Sequence, residues 1–480
     1  MSKSLLLLFV IVFLTASLIM EAKPVSAVTP VENSWIPKAP MQVARSGLGV
    51  AVADGKIYAI GGTIESGFVP SARGSIVFDS TANGVGINEV YDPETDTWTY
   101  KASMPTPRLA FGIAVYKNKI YCIGGQANLS STGINEVYDP ATNTWETKTP
   151  MPTPRTWVAA NAVNGKIYLM GGYGWSGSDS SKLNEVYDPE TDSWTTKTPS
   201  PDVPIADNSL ASAVFDNKIF LFGGLTQDKH YQLNQIYNTE TDTWSAGSYP
   251  PSSIGGGAAA ATTGAFAPKR IYAIGSATKY LLAGSSYTTR IYSPETDHWS
   301  SAAADMPAVR FDFGIAVVND TLYVIGGHTY NSFGGSYAPV AWNEQYVPLG
   351  YGTPDPSYVP PDLTPPEIAV LSPENTTYHI VDVVLNFTVD ETGSSMRYIL
   401  DGENFEVSEN ITLTGLSYGA HNLTVYATDA ADNTGSSETV NFTVTKEPEP
   451  FPVVPIVAAS AATVAIVGAG LLAYLKKRRH

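Results

Sequence analysis

Cysteine is almost absent from this chain: Cys122 is the single one in 480 residues, which excludes a disulfide framework. Histidine is scarce too, 6 in all, and His230, His298 and His328 are scattered without the spacing of a metal-ligand set. Basic residues are outnumbered, 28 Lys and Arg against 45 Asp and Glu, for a formal charge of −17. A field of that sign repels phosphate backbones and excludes nucleic acid as a partner. Long apolar runs occur only near the two ends, Leu5 to Met20 and Val453 to Leu475. No glycine-rich phosphate loop, nucleophile elbow or metalloprotease helix motif is present. The reading therefore expects no cofactor and no metal.

What the chain has in abundance is a repeat. Asn88 to Trp98 reads Asn-Glu-Val-Tyr-Asp-Pro-Glu-Thr-Asp-Thr-Trp, and it returns at Asn135 to Trp145, Asn184 to Trp194 and Asn234 to Trp244. A degraded copy ends at Trp299, and a last fragment, Asn343 to Tyr346, has no Trp after it. Upstream of each copy an apolar strand ends in a glycine pair: Gly61-Gly62, Gly124-Gly125, Gly171-Gly172, Gly223-Gly224 and Gly326-Gly327, with Gly275-Ser276 in the fifth. A period of about 50 residues with four strand signals per unit describes a propeller blade. Together with the Met-Pro-x-x-Arg leaders, these residues resemble the kelch family over about residues 33 to 348. The resemblance implies an all-β fold led by a six-bladed kelch β-propeller. Trp35 precedes the first glycine pair and nothing follows Tyr346, so the strand at Asn33-Ser34-Trp35-Ile36 is expected to close the last blade.

In order, residues 1–27 read as a signal peptide, with Lys3, the apolar run and Val25-Ser26-Ala27 ahead of the cleavage point. Residues 28–350 form the propeller and 351–363 a Pro-rich linker. Residues 364–446 alternate as in Val384-Leu385-Asn386-Phe387-Thr388-Val389 and read as a small immunoglobulin- or fibronectin-like β-sandwich. A spacer at 447–452 leads to a transmembrane helix at 453–475 and a basic cytoplasmic tail at 476–480. A sorting tail cut at the surface is the second reading of this end. Removing signal and tail leaves about −22 on the exported body, since they carry +1 and +4. Sequons stand at Asn128, Asn319, Asn375, Asn386, Asn410, Asn422 and Asn441, and strand alternation turns Asn386, Asn410, Asn422 and Asn441 outward as glycosylation sites.

The candidate binding face combines the loop leading into each blade with the loop between its second and third strands. Arg45, Arg108, Arg155 and Arg310 each fall twelve residues before the matching Ile or Leu of the glycine-pair strand, with Asp207 and Ala259 at that register in blades four and five. The resemblance implies that such arginines hold acidic peptide segments; a scaffold role for a side chain repeated in register is the alternative. The second set of loops adds Phe68, Tyr173, Trp175, Tyr231, Tyr280, Tyr287, His328, Tyr330 and Phe333. Arginines and aromatics suit a protein, peptide or glycan ligand outside the cell. Catalysis finds less support: Cys122 sits at a core strand position, and Glu89, Glu136, Glu185 and Glu344 hold one repeated position. The Asp-Pro-Glu-Thr-Asp turns lack the ligand number of a calcium loop. The function expected is cell-surface recognition or adhesion; a sugar-acting enzyme of the epimerase or mutarotase type and a purely structural envelope protein are the alternatives.

Overall fold

The computed structural model describes residues 30 to 448, apart from 66–67, 71–75, 79–81, 175–181, 202–209, 224–231, 253, 255, 276–287, 332–335, 361, 363, 392–394 and 432. The signal peptide and the C-terminal span and tail lie outside the described residues. Among those residues no helix is long and apolar enough to cross a membrane. Two units are present, one ending at Tyr358 and one beginning at Val359.

The first unit contains six four-stranded antiparallel sheets. Blade two shows why the repeat folds this way: Gly112–Tyr116, Lys119–Ile123, Asn135–Asp139 and Thr144–Lys148 pair in sequence order. Lys117 and Asn118 both adopt positive φ, 44° and 62°, the backbone of a two-residue hairpin matched to the twist of its strands. The second strand buries Ile120, Tyr121, Cys122 and Ile123 on both faces, because blades cover it on either side. The glycine pair ends that strand in the left-handed region, at φ 63° and 89° for Gly61 and Gly62, and a Cβ on Gly62 would stand 2.6 Å from the Ser46 carbonyl oxygen.

The repeated Tyr, Asp and Trp latch each blade to the chain leaving the blade before it. Asp96, at φ 54° in its turn, accepts hydrogen bonds from the Tyr91 hydroxyl at 2.6 Å and the Ala39 N–H at 2.8 Å, while Trp98 Nε1 donates to the Ala39 carbonyl at 2.7 Å. Tyr138, Asn143 and Trp145 grip Ala102 in the same way, and Tyr187, Asp192 and Trp194 grip Thr149. These bonds occupy the last residue of each of these turns, Asp96, Asn143 and Asp192, so the motif is explained by packing.

The last blade takes its outer strand from the other end of the chain. Ser34–Lys38 pairs antiparallel with Asn343–Val347, with Trp35 opposite Tyr346. Its latch is therefore split: Tyr346 donates to Asn33 Oδ1 at 2.8 Å, the Ala304 N–H donates to the same oxygen at 2.6 Å, and Trp35 Nε1 donates to the Ala304 carbonyl at 3.0 Å. Apolar clusters fill the spaces between neighbouring blades. One joins Ala51, Tyr58 and Ile60 of blade one to Phe111, Ile120 and Cys122 of blade two. Burial there pushes the Cys122 thiol up to about 12, against weaker opposition from Arg108, and keeps it protonated.

One boundary differs from the expected linker at 351–363. Residues 351–358 are part of the first unit, where Gly352 and Asp355 donate backbone N–H groups to the carbonyls of Phe266 and Gly264, and Tyr351 stacks on Phe266 at 6.4 Å. Pro and Asp in this stretch set turns against blade five instead of an extended spacer.

The second unit packs a three-stranded sheet, Ile368–Ser372, Val383–Val389 and Ile411–Leu413, with a six-stranded sheet whose longest strand is Gly419–Thr428. Its core gathers Leu385, Phe387, Tyr398, Leu423, Val425 and Phe442. Alternation holds in Val383–Val389, where Val383, Leu385 and Phe387 are buried and Asn386 between them is half-buried.

Candidate functional site

The loops leading into the blades and those after the glycine pairs do share a face. Single backbone bridges join Ser46 to Thr63, Leu109 to Gln126, Thr156 to Tyr173 and Phe311 to His328. The arginine just before each bridge, however, turns away from that face. Arg45, Arg108, Arg155 and Arg310 are 0 to 2% exposed. Arg45 donates to the carbonyls of Gly61 (2.8 Å), Ile87 (3.2 Å) and Ala59 (3.2 Å), and its guanidinium stands 3.7 Å from Glu89. Arg155 bonds the Gly171 carbonyl at 2.9 Å and Glu185 at 2.8 Å; Arg108 pairs with Glu136 and Arg310 with Glu344. Burial lowers Arg45, Arg155 and Arg310 to about 10, partly offset by their glutamates, so all three stay charged at neutral pH. Burial likewise raises the Glu89 carboxyl, opposed by Arg45 and by the N–H groups of Gln42 and Val43.

These arginines are thus cross-braces between strand ends, which corrects the expectation that they meet a ligand. The physical reason is the glycine pair: strand ends in left-handed conformation leave carbonyls pointing inward, and a planar five-donor group satisfies several at once. The sequence carries a signal for this. Blade four has Gln235, and blade five Arg290, at the position of the repeated glutamate, and those are the two blades without the arginine. Arginine and glutamate are present together or absent together because a buried charge requires its counter-ion.

His328 also departs from expectation. It is buried, with Nε2 3.0 Å from Ser46 Oγ and its ring stacked on Phe311 at 5.5 Å, so it ties blade six to blade one. Tyr173 is 37% exposed and remains on the open face. Tyr330 lies in the strand His328–Asn331, opposite Tyr337. Trp175, Tyr231, Tyr280, Tyr287 and Phe333 fall outside the described residues. Asn128, Asn319, Asn375, Asn410, Asn422 and Asn441 are exposed.

The residues that do reach the central opening come two positions after each arginine: Gly47, Ala110, Trp157 and Asp312, all at positive φ between 54° and 59°. Their backbones link blade to blade around the mouth: Ala110 N–H donates to Gly47 (2.8 Å), Trp157 to Ala110 (2.7 Å), Asp312 to Gly256 (2.9 Å) and Gly47 to Asp312 (2.9 Å). Only glycine adopts this conformation without cost, so Trp157 and Asp312 are held there by the ring. Below them lies a cavity of about 260 Å³, lined by Phe111, Phe313, Val158 and small residues of the innermost strands. Asn161 lines it as well, and sequence reading passed over it. Register with the second strands places Ala51, Ala114, Ala213, Ala260 and Ala316 at its position in the other five blades.

In the second unit Asp362, Glu391 and Asp429 bring one carboxylate oxygen each within 4.8 Å of one another. Burial, and then the neighbouring Asp362, Asp429 and Asp390, raise the Glu391 carboxyl. Asp429 is already engaged, accepting from the N–H groups of Ala431 and Asn433 and from the Asn433 side chain, each at 2.8 Å. The trio is a cation-sized cluster knitted into a turn.

A family model described as the KLHDC2/KLHL20/DRC7 Kelch-repeats domain matches residues 138–327, and one described as Kelch motif matches residues 107–152. The chain is built on kelch repeats. Its kelch propeller is similar, over short stretches, to several curated proteins. It is 38% identical over 89 residues to the influenza virus NS1A-binding protein homolog of Mus musculus, covering 18% of this chain and 11% of that one. It is 32% identical over 96 residues to Kelch-like protein 28 of Homo sapiens (20% and 15%) and 40% over 98 residues to Kelch-like protein 15 of Danio rerio (20% and 15%). The chain thus spans less than a quarter of the length of these relatives. Among solved structures, that of YjhT aligns with a TM-score of 0.48 at 17% identity, covering 63% of this chain and 95% of the other.

Proposed function

We propose that the kelch propeller is a recognition module that binds a protein, peptide or glycan through the face around its central opening, without catalysing a reaction on it. The carrying observation is the mouth itself. Where the repeat builds scaffold it repeats, and around the opening it breaks, with Trp157, Asp312 and the exposed Tyr173 where other blades carry different residues. Aromatics beside a carboxylate give flat apolar contact and a directional acceptor. Among the described residues lining the cavity, Asp312 is the single titratable side chain, which disfavours general acid–base chemistry needing a second group.

The same reading places the propeller outside the cell. Residues 1–27 direct export, the second unit is an immunoglobulin-like module carrying glycans on its exposed sequons, and residues 453–475 anchor the chain in a membrane with 476–480 inside. Binding of the full-length protein to an array of glycans and peptides tests the recognition reading, alongside Trp157→Ala and Tyr173→Ala variants that melt as the parent does. One ligand class is expected to bind saturably and to be lost in at least one variant. Absence of any ligand would move the chain to a purely structural envelope role.

A further inference from the structure

Asn161 lines the cavity wall with a side-chain donor that the fold does not use. Its position belongs to alanine in five blades, where that small side chain packs between neighbouring sheets. In blade three the side chain is a carboxamide, 6% exposed, and its Nδ2 has no hydrogen-bond partner. An unpaired buried amide donor is costly, and such a group persists in a native fold where something other than the fold uses it. It stands in the wall of a cavity that opens to the loop face.

The other walls narrow what could use it. Phe111, Ile113, Val158, Phe313 and Ile315 present apolar surface, and among the described residues no Lys, Arg or His lines the space. Asp312 at the mouth disfavours an anion, and the arginines that would attract one are consumed by strand-end carbonyls and glutamates. A cation would find Asp312 and the face of Trp157, but an ammonium has no acceptor for the Asn161 donor. What suits the described walls is a neutral ring with hydroxyls on its edge and carbon–hydrogen faces above and below. The volume, about 260 Å³, exceeds what a few waters need and leaves room for a ring bearing hydroxyls. Trp157 stands at the mouth, in the turn that leads into the strand Ala159–Val163 on which Asn161 lies. Asp312 stands on blade six, diametrically across the ring of six from Trp157 on blade three.

We infer that the propeller's channel takes the terminal sugar of a neutral glycan, with that ring hydrogen-bonded to Asn161 and the next ring stacked on Trp157 and donating to Asp312. This rests on the recognition reading above and names its ligand class and its deepest contact. The inner ring supplies a hydroxyl oxygen to Nδ2, so the amide is paired only when the site is filled.

The test is calorimetric titration of the full-length protein with cellobiose, maltose, lactose and α-mannobiose, with chitosan disaccharide and a glucuronate-terminated disaccharide as cationic and anionic counterparts. At least one neutral disaccharide is expected to bind saturably, and the charged ones at least tenfold more weakly. Asn161→Ala is expected to lose about tenfold or more in affinity while melting at the parent temperature or above it, since alanine is what the other blades carry. Failure of all neutral disaccharides to bind, or parent-like binding by Asn161→Ala, overturns the inference. If Trp157→Ala abolishes binding of some array ligand while Asn161→Ala leaves it intact, recognition stands and the channel assignment falls. If nothing binds in either experiment, both fall.

Discussion

Replacing Arg155 by methionine separates a scaffold arginine from a ligand-contact arginine. Its guanidinium is fully buried and bonds Glu185 at 2.8 Å and the Gly171 carbonyl at 2.9 Å, with weaker contacts to the carbonyls of Leu183 and Leu169. Removal leaves Glu185, 4% exposed, with Thr153 Oγ1 at 2.8 Å as its remaining hydrogen bond. Breaking a buried pair from one side costs about 3–5 kcal/mol. A unit of roughly 330 residues melts with an entropy near 0.7 kcal/mol per kelvin, so the midpoint should fall by about 6 °C. Methionine fills the volume of the stem, which isolates the lost charge and donors from a cavity effect. In the double variant Arg155→Met/Glu185→Leu the stranded carboxylate is gone, and about 2 kcal/mol should return, leaving a deficit from the unpaired carbonyls. Scanning calorimetry of parent, both single variants and the double gives the coupling directly. A parent-like midpoint for Arg155→Met, together with loss of a ligand that the parent binds, would refute the brace and restore the arginine to the binding face.

The closing strand and the second unit can each be probed by a single substitution. Asn33→Ala removes the acceptor shared by Tyr346 and Ala304, so it should destabilise the first unit by about 1–3 kcal/mol, whereas a substitution at an ordinary frayed terminus would be neutral; chemical denaturation reads the difference. His421 is nearly buried in the second unit against Phe442, and burial alone would lower its pKa, but its hydrogen bonds to the Ser417 carbonyl and the Asp401 carboxylate raise it above 6.5. A raised folded pKa means that this stabilisation is complete below pH 6.5 and disappears as pH rises through the folded value. Unfolding of the second unit, followed from pH 6 upward, should show that decline in the parent and a smaller one in Asp401→Asn; equal slopes would dismiss the pair.

Much of the framework is legible in the chain because the repeat states it six times. The Tyr, Asp and Trp of each copy are latch residues whose partners are backbone groups of the preceding blade, so their spacing survives wherever the latch does. The arginine and glutamate could be recognised as one unit from their joint loss in blades four and five. The face of the arginines could not. Arg155 and Trp157 stand two residues apart in one turn, and the left-handed conformation at Trp157, φ 57°, accompanies an indole at the mouth and a guanidinium bonded to the Gly171 carbonyl inside. Asn161 was visible as a break in an alanine column, but its meaning required knowing that in blade three this position borders a cavity.

The sequence by itself determined the number of blades, the kind of contact between them and the order of the units, since each depends on patterns within about one repeat length. Only the tertiary structure decided which side chains the scaffold consumes and which it leaves for a ligand. That division depends on where strand-end carbonyls converge and where six inner strands leave a gap, and both are fixed by closure of the ring between Trp35 and Tyr346, more than three hundred residues apart. The same closure brings Ser46 to His328 and places blade three opposite blade six, so the opening acquires its chemistry only when the first and last strands pair.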